Sequence, residues 1–122
     1  MNAVLLVFLG GGLGSVARYL IGLYVSNTEN GFPLKTFIAN FLSCIVLGFL
    51  LGWLTRNHLD DKTKLLLMTG FCGGFSTFST FSAEVFLLIE QNQILLALGY
   101  ILSSIIICTL VLFAAYFLGQ QL

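Results

Sequence analysis

The sequence predicts an all-α integral membrane protein of four transmembrane helices, the third broken in mid-membrane. Three observations carry that prediction. Of 122 residues, 58% are hydrophobic, and five basic and five acidic residues are the only formal charges. Too little polar surface remains for a soluble domain of this size. Four stretches then reach the roughly 20 apolar residues that a spanning helix needs: Ala3–Val25, Thr36–Thr55, Leu65–Ile89 and Leu95–Leu118. Finally, GFCGGFSTFSTF at residues 70–81 puts three glycines and four hydroxyls inside the third stretch. Glycine costs about 1 kcal/mol relative to alanine in a helix interior, and Ser and Thr compete for local backbone hydrogen bonds.

The first stretch has no positive n-region and outruns a signal peptide, so it is expected to stay as a span. It carries Gly10-x-x-x-Gly14 and Gly11-x-x-x-Ser15, with Arg18 toward its end. The polar piece SNTENGFPLK follows, with the single proline, Pro33. On the second span Thr36, Asn40, Ser43 and Cys44 share one helical face, while Cys44, Gly48 and Gly52 recur every four residues. Small residues at this spacing let helices approach closely in lipid. The spacing leaves open whether they meet within a subunit or between subunits, and an oligomer is expected. The loop RNHLDDKTK holds the only histidine, His58, which reads as a solvated surface residue.

The third span is expected to break around Gly70, Gly73, Gly74 and Ser76. Irregular backbone at membrane depth survives only where protein or a cavity covers it. A broken helix frees carbonyls on one side and N–H groups on the other, and such breaks bind ions. Thr77, Thr80 and Glu84 share a face there, with Phe78 and Phe81 alongside. An aromatic ring is positive at its edge, so these rings can face a partly dehydrated anion. Phe71 and Phe75 read as core. After EQNQ, Tyr100, Ser104 and Cys108 step by four along the last span.

Any single Ser or Thr can bond back to its own helix, but polar stripes on three spans also fit a path. Asn40 is the sharpest case, because its amide needs partners at both ends and lipid offers none. Arg18 and Glu84 are the charges set within spans; each reads equally as a structural or a functional group. Cys44, Cys72 and Cys108 have no metal-like spacing and read as packing residues. Four spans put both termini and the second loop on one side, with Arg56, Lys62 and Lys64 against Lys35 and Arg18 on the other. That balance is a weak orientation signal, compatible with one cytoplasmic face or with insertion both ways. These residues describe a small oligomeric membrane protein with a broken-helix ion site and few fixed charges. A passive pore or weakly coupled carrier is expected rather than an enzyme.

The stretch GFCGGFSTFSTFSAE closely resembles the signature of the Fluc/CrcB family of fluoride channels. GGGLGSVARY (Gly10–Tyr19) is similar to that family's glycine-rich run, and TFIANFLSCIVLG (Thr36–Gly48) to its Thr-x-x-x-Asn segment. The resemblance implies an antiparallel, dual-topology homodimer in the inner (plasma) membrane that exports fluoride passively. It also implies a structural sodium ion at the dimer centre. Phe78 and Phe81 resemble the pore phenylalanines, Asn40 the pore asparagine, and Gly73 and Ser76 the carbonyls that hold sodium. Thr77 falls in the same break. Tyr100, Ser104 and Cys108 fall on the family's polar track, with Glu84 near its end; Arg18 and Thr36 lie in the two supporting motifs. Lipid, fluoride and a second copy are the expected partners, and nucleic acid is not. Cys108 stands where a hydroxyl is expected, and Ser43 and Ile45 replace an expected Gly and Phe. A small multidrug transporter is the nearest rival, but it needs a buried carboxylate in the first span, which has none.

Overall fold

A computed structural model describes residues 2–122. Among them there is no β-strand, and four helical stretches are long and apolar enough to cross a membrane. Helix α1 (Ala3–Tyr24) begins with the Asn2 side chain accepting from the Val4 N–H, which satisfies one of the orphan donors of a first turn. Helix α2 (Leu34–Leu54) starts just after Pro33, two residues earlier than Thr36, because proline ends the preceding extended piece and permits a first turn. Gly31 in that piece takes a φ of 89°, a conformation open to glycine at no steric cost.

The third span is composite. A turn at Asp61–Lys64 runs into a π-helical stretch, Leu65–Cys72, and then a turn at Gly73–Phe75; together these form α3 (61–75). Ser76 and Thr77 are extended, and α4 (Phe78–Glu90) resumes beyond them. The span is therefore broken, but the glycines are not where it breaks. Gly70, Gly73 and Gly74 are all helical. Two of them serve close packing instead: a Cβ on Gly74 would lie 2.3 Å from the Gly11 carbonyl oxygen, and one on Gly70 would lie 2.9 Å from the Gly10 Cα.

Helix α4 ends with Asn92 in the left-handed region at φ 59°. The N–H groups of Asn92 and Gln93 donate back to the carbonyls of Ile89 and Leu88, a Schellman closure that asparagine tolerates. This tight reversal starts α5 (Ile94–Gln121).

Packing pairs α1 with α3 and α2 with α5. Gly10 and Gly14 face backbone of Leu66 and Phe71, while Gly48 and Gly52 face backbone of Leu112 and Tyr116. The small-residue motifs of the first two spans thus meet partners within the chain. A buried cluster of Leu88, Ala97 and Tyr100, ringed by Phe32, Phe37, Phe81 and Val85, seats α4 on α5. Phe75 is buried as core. Large apolar side chains of α1 and α5, such as Phe8, Leu13, Leu102 and Phe113, point outward. Such a surface suits lipid, which has no water to order around it.

Candidate functional site

The break in the third span is set by side chains that capture its backbone. The Thr77 N–H would bond the Gly73 carbonyl in a continuous α-helix; it donates to Asn40 Oδ1 instead, at 2.8 Å. The Thr80 N–H would reach the Ser76 carbonyl; it donates to the Thr77 hydroxyl at 3.2 Å, and Thr77 so caps α4. Both carbonyls thereby lose their helical donors. Upstream, the Cys72 carbonyl accepts from the hydroxyls of Ser43 at 3.2 Å and Ser76 at 3.0 Å. The end of α3 is thus tied down from α2 as well as from its own chain.

The Thr77 contact also orients Asn40. An N–H can donate only to the amide oxygen, so the amide nitrogen with its two N–H donors is turned the other way. Asn40 lines an open groove of about 240 Å³ together with Cys44, Ser76, Thr77, Phe78, Phe81, Ser104, Ile105 and Cys108. The rings of Phe78 and Phe81 lie 5.8 Å apart, tilted by 36°. Phe78 is 80% exposed at the lip, whereas Phe81 leans on Tyr100 at 4.9 Å. Ser104 is buried, and its hydroxyl oxygen has no hydrogen-bond partner.

Glu84 sits apart from this groove. Its two carboxylate oxygens accept from Thr36 at 2.6 Å and from Tyr100 at 2.7 Å. One carboxylate so clamps α2 and α5 to α4. Tyr100 is fully buried, and neither it nor Glu84 is among the groove residues. The hydroxyl protons of Thr36 and Tyr100 are engaged by Glu84, leaving Asn40, Ser104 and the thiols of Cys44 and Cys108 as the donors facing the groove.

A second groove of about 380 Å³ carries Arg18 and Lys35 with Ser15, Tyr19, Thr36, Thr77 and Thr80. Thr77 lines both grooves. Of the residues expected from sequence, Asn40, Thr77, Phe78, Phe81, Ser104 and Cys108 meet in the first groove, and Ser76 joins them. Arg18 and Thr36 lie in the second, and Gly73 is exposed beside the break with nothing within 4 Å of an added Cβ. Sequence reasoning missed Ser15, Tyr19 and Lys35 as lining residues. Ser15, Arg18 and Gly22 recur at helical spacing along α1, a signal that could have found the first of these.

The fold and its grooves define the class: a small multi-pass membrane protein with donor-lined surface clefts meeting at a helix break. The chain belongs to the CrcB-like family, whose model, described as "CrcB-like protein, Camphor Resistance (CrcB)", matches residues 5–116. It is 44% identical over 123 residues to the Fluoride-specific ion channel FluC of Gloeothece citriformis, covering 100% of this chain and 97% of that protein. It is 43% identical over 105 residues to the Fluoride-specific ion channel FluC 1 of Yersinia pestis, covering 85% and 83%. Its identity to the FluC of Flavobacterium psychrophilum is 37% over 124 residues, with both chains covered in full.

Proposed function

We propose that this protein is a fluoride-selective channel, and not an enzyme, that lets fluoride leave the cytoplasm passively through the inner membrane. The relatives' names support the substrate, and the Asn40 amide carries the reading on this chain. With its oxygen held by Thr77, Asn40 offers the groove two N–H donors and no acceptor, a polarity suited to an anion. The edges of Phe78 and Phe81 and the free hydroxyl of Ser104 extend that donor surface. Fluoride is small and strongly hydrated, so donors that replace its water must be close and numerous. Arg18 and Lys35 in the adjoining groove would concentrate anions at its mouth.

The working unit on this reading is an antiparallel homodimer. The first groove is open on one side, with Phe78 largely exposed at its lip, and a second copy would supply the missing wall. The carbonyls of Gly73 and Ser76, stripped of helical donors, suit a hard cation, which takes oxygen ligands. One chain offers too few for a full shell, and two chains would share a structural sodium ion. The hard oxygen donors fit that ion; its role is to hold the copies together.

Ion efflux from liposomes holding only this protein tests the proposal. Fluoride should leave rapidly and chloride should not. Equal fluoride and chloride efflux, or none of either from correctly folded protein, would refute it.

A further inference from the structure

Cysteine spacing along the chain shows no metal pattern, yet the register of α2 against α5 brings two cysteines together. Gly48 meets the backbone of Leu112, and Gly52 that of Tyr116, so a constant offset of 64 residues relates these two parallel helices. One turn earlier the same register sets Cys44 beside Cys108, and both side chains line one groove. Both thiols are free and only part-buried, and both residues line the groove that holds Asn40, Phe78 and Ser104. Cys72, by contrast, is buried and outside that groove.

We propose that Cys44 and Cys108 form a two-sulfur site for a soft, linearly coordinated d10 cation of the Cu(I) or Ag(I) class, and that a cation held there closes the groove to anions. Sulfur ligands select soft metals, whereas the amide and hydroxyls nearby are hard donors and do not compete. One thiol gives its proton to water in the groove and forms a metal–thiolate bond; the other donates a sulfur lone pair while keeping its proton. The cation's charge cancels that of the thiolate. The complex is therefore neutral and avoids most of the cost of placing an ion at membrane depth. Among the described residues no cluster of three or more His, Cys, Asp or Glu is present, so a tetrahedral zinc centre, which needs more ligands, is not the fit. Two sulfurs satisfy a linear ion. The site rests on register and chemistry alone; closure rests on the channel reading.

The test uses the full chain in liposomes, in chloride-free buffer, with silver nitrate as the probe. We expect one Ag(I) per chain and one proton released per Ag(I). Fluoride efflux should fall by about tenfold or more and return when dithiothreitol removes the metal. Cys44→Ser and Cys108→Ser should each weaken silver binding by roughly 100-fold and abolish inhibition relative to the same variant's silver-free rate. Cys72→Ala should keep both responses. Parental silver affinity in either serine variant would overturn the site, as would loss of binding in Cys72→Ala alone. Full binding with unchanged efflux would overturn closure only. A parent protein that passes no fluoride before silver is added would refute the channel and closure together, while silver stoichiometry and proton release would still decide the site.

Discussion

Replacing Asn40 by aspartate exchanges an amide NH2 for an oxygen and changes almost nothing in shape. The substitution separates the two tasks the side chain performs. Its oxygen holds the Thr77 N–H at 2.8 Å, and a carboxylate accepts that bond at least as well. The break in the third span should therefore keep its geometry, and thermal unfolding in detergent should shift little. The groove, however, loses both N–H donors and gains a negative charge. A hydrogen bond to a charged partner contributes about 1.5–3 kcal/mol, and each 1.36 kcal/mol at the barrier is tenfold in rate. Losing one such bond to a passing anion slows it by about 10- to 150-fold, before charge repulsion adds to the loss. Asn40→Leu gives the contrasting case. It removes the acceptor too, leaving the Thr77 N–H unpaired at about 1–3 kcal/mol, so stability and flux should both fall. Fluoride efflux measured with an ion-selective electrode in alkaline buffer, where the aspartate is ionised, reads the difference. Parental efflux through Asn40→Asp would refute the donor role of the amide.

Phe78→Ile and Phe81→Ile should each collapse fluoride efflux from protein that still assembles, since isoleucine has no positive edge; Phe78, 80% exposed in the single chain, should cost that chain little stability, and parental efflux through both variants would make the rings mere packing. Gly52→Ala would place a Cβ 1.9 Å from the Tyr116 carbonyl oxygen, forcing α2 from α5 at about 1–3 kcal/mol, whereas Gly12→Ala meets nothing within 4 Å and should be neutral or stabilising by up to about 1 kcal/mol; equal unfolding midpoints would contradict the packing role. Single cysteines at Asn57 and at Asn92, in a background without the native cysteines, should each label from both sides of the membrane, and strictly one-sided labelling at both would exclude the antiparallel dimer. Exchanging sodium for a bulky organic cation should lower thermal stability or flux by mass action; indifference of both, once trace sodium is gone, would count against the bound ion.

The four spans were legible because hydrophobicity at this density has one physical outcome, and their ends moved by only a few residues, as after Pro33, at Asp61 and at Gln121. Helical periodicity also grouped residues correctly. Thr36, Asn40 and Ser43 do share a face, and each of them reaches across to the third span. The site of the break was less legible. Helix propensity points to Gly70, Gly73 and Gly74 as weak places, but in lipid a missing side chain also permits close approach. Gly70 and Gly74 serve that end against α1. The actual break, at Ser76 and Thr77, depends on Asn40, which lies 37 positions earlier in the chain. No local pattern announces such a capture. The pairing of Cys44 with Cys108 was hidden for the same reason, because helix register is a property of packing and not of spacing. Lys35 went unread as a lining residue because its loop looked merely polar, although it lies in the first turn of α2 and lines the same groove as Arg18.

One break can serve ions of both signs because it exposes two opposite helix ends within two residues. Helix α3 terminates at Phe75 and α4 starts at Phe78. The first end carries the partial negative charge of unpaired carbonyls, and the second the partial positive charge of unpaired N–H groups. On the proposed reading, the carbonyls of Gly73 and Ser76 face a cation shared with the second copy. The N-terminal turn of α4 carries Phe78 and Phe81 and lies beside Asn40, where on the same reading the anion would pass. The carbonyl end owes its free groups to two captures that also shape the start of α4: Asn40 takes the Thr77 N–H, and Thr77 takes the Thr80 N–H. Substituting Asn40 by leucine leaves the Thr77 N–H without its partner, so the extended geometry that strips the Gly73 and Ser76 carbonyls of helical donors is no longer held. The cation site and the anion groove are thus coupled through one side chain. Loss of fluoride flux in Asn40→Leu should be accompanied by loss of the sodium dependence of stability, and Asn40→Asp, which keeps the capture, should lose the flux alone.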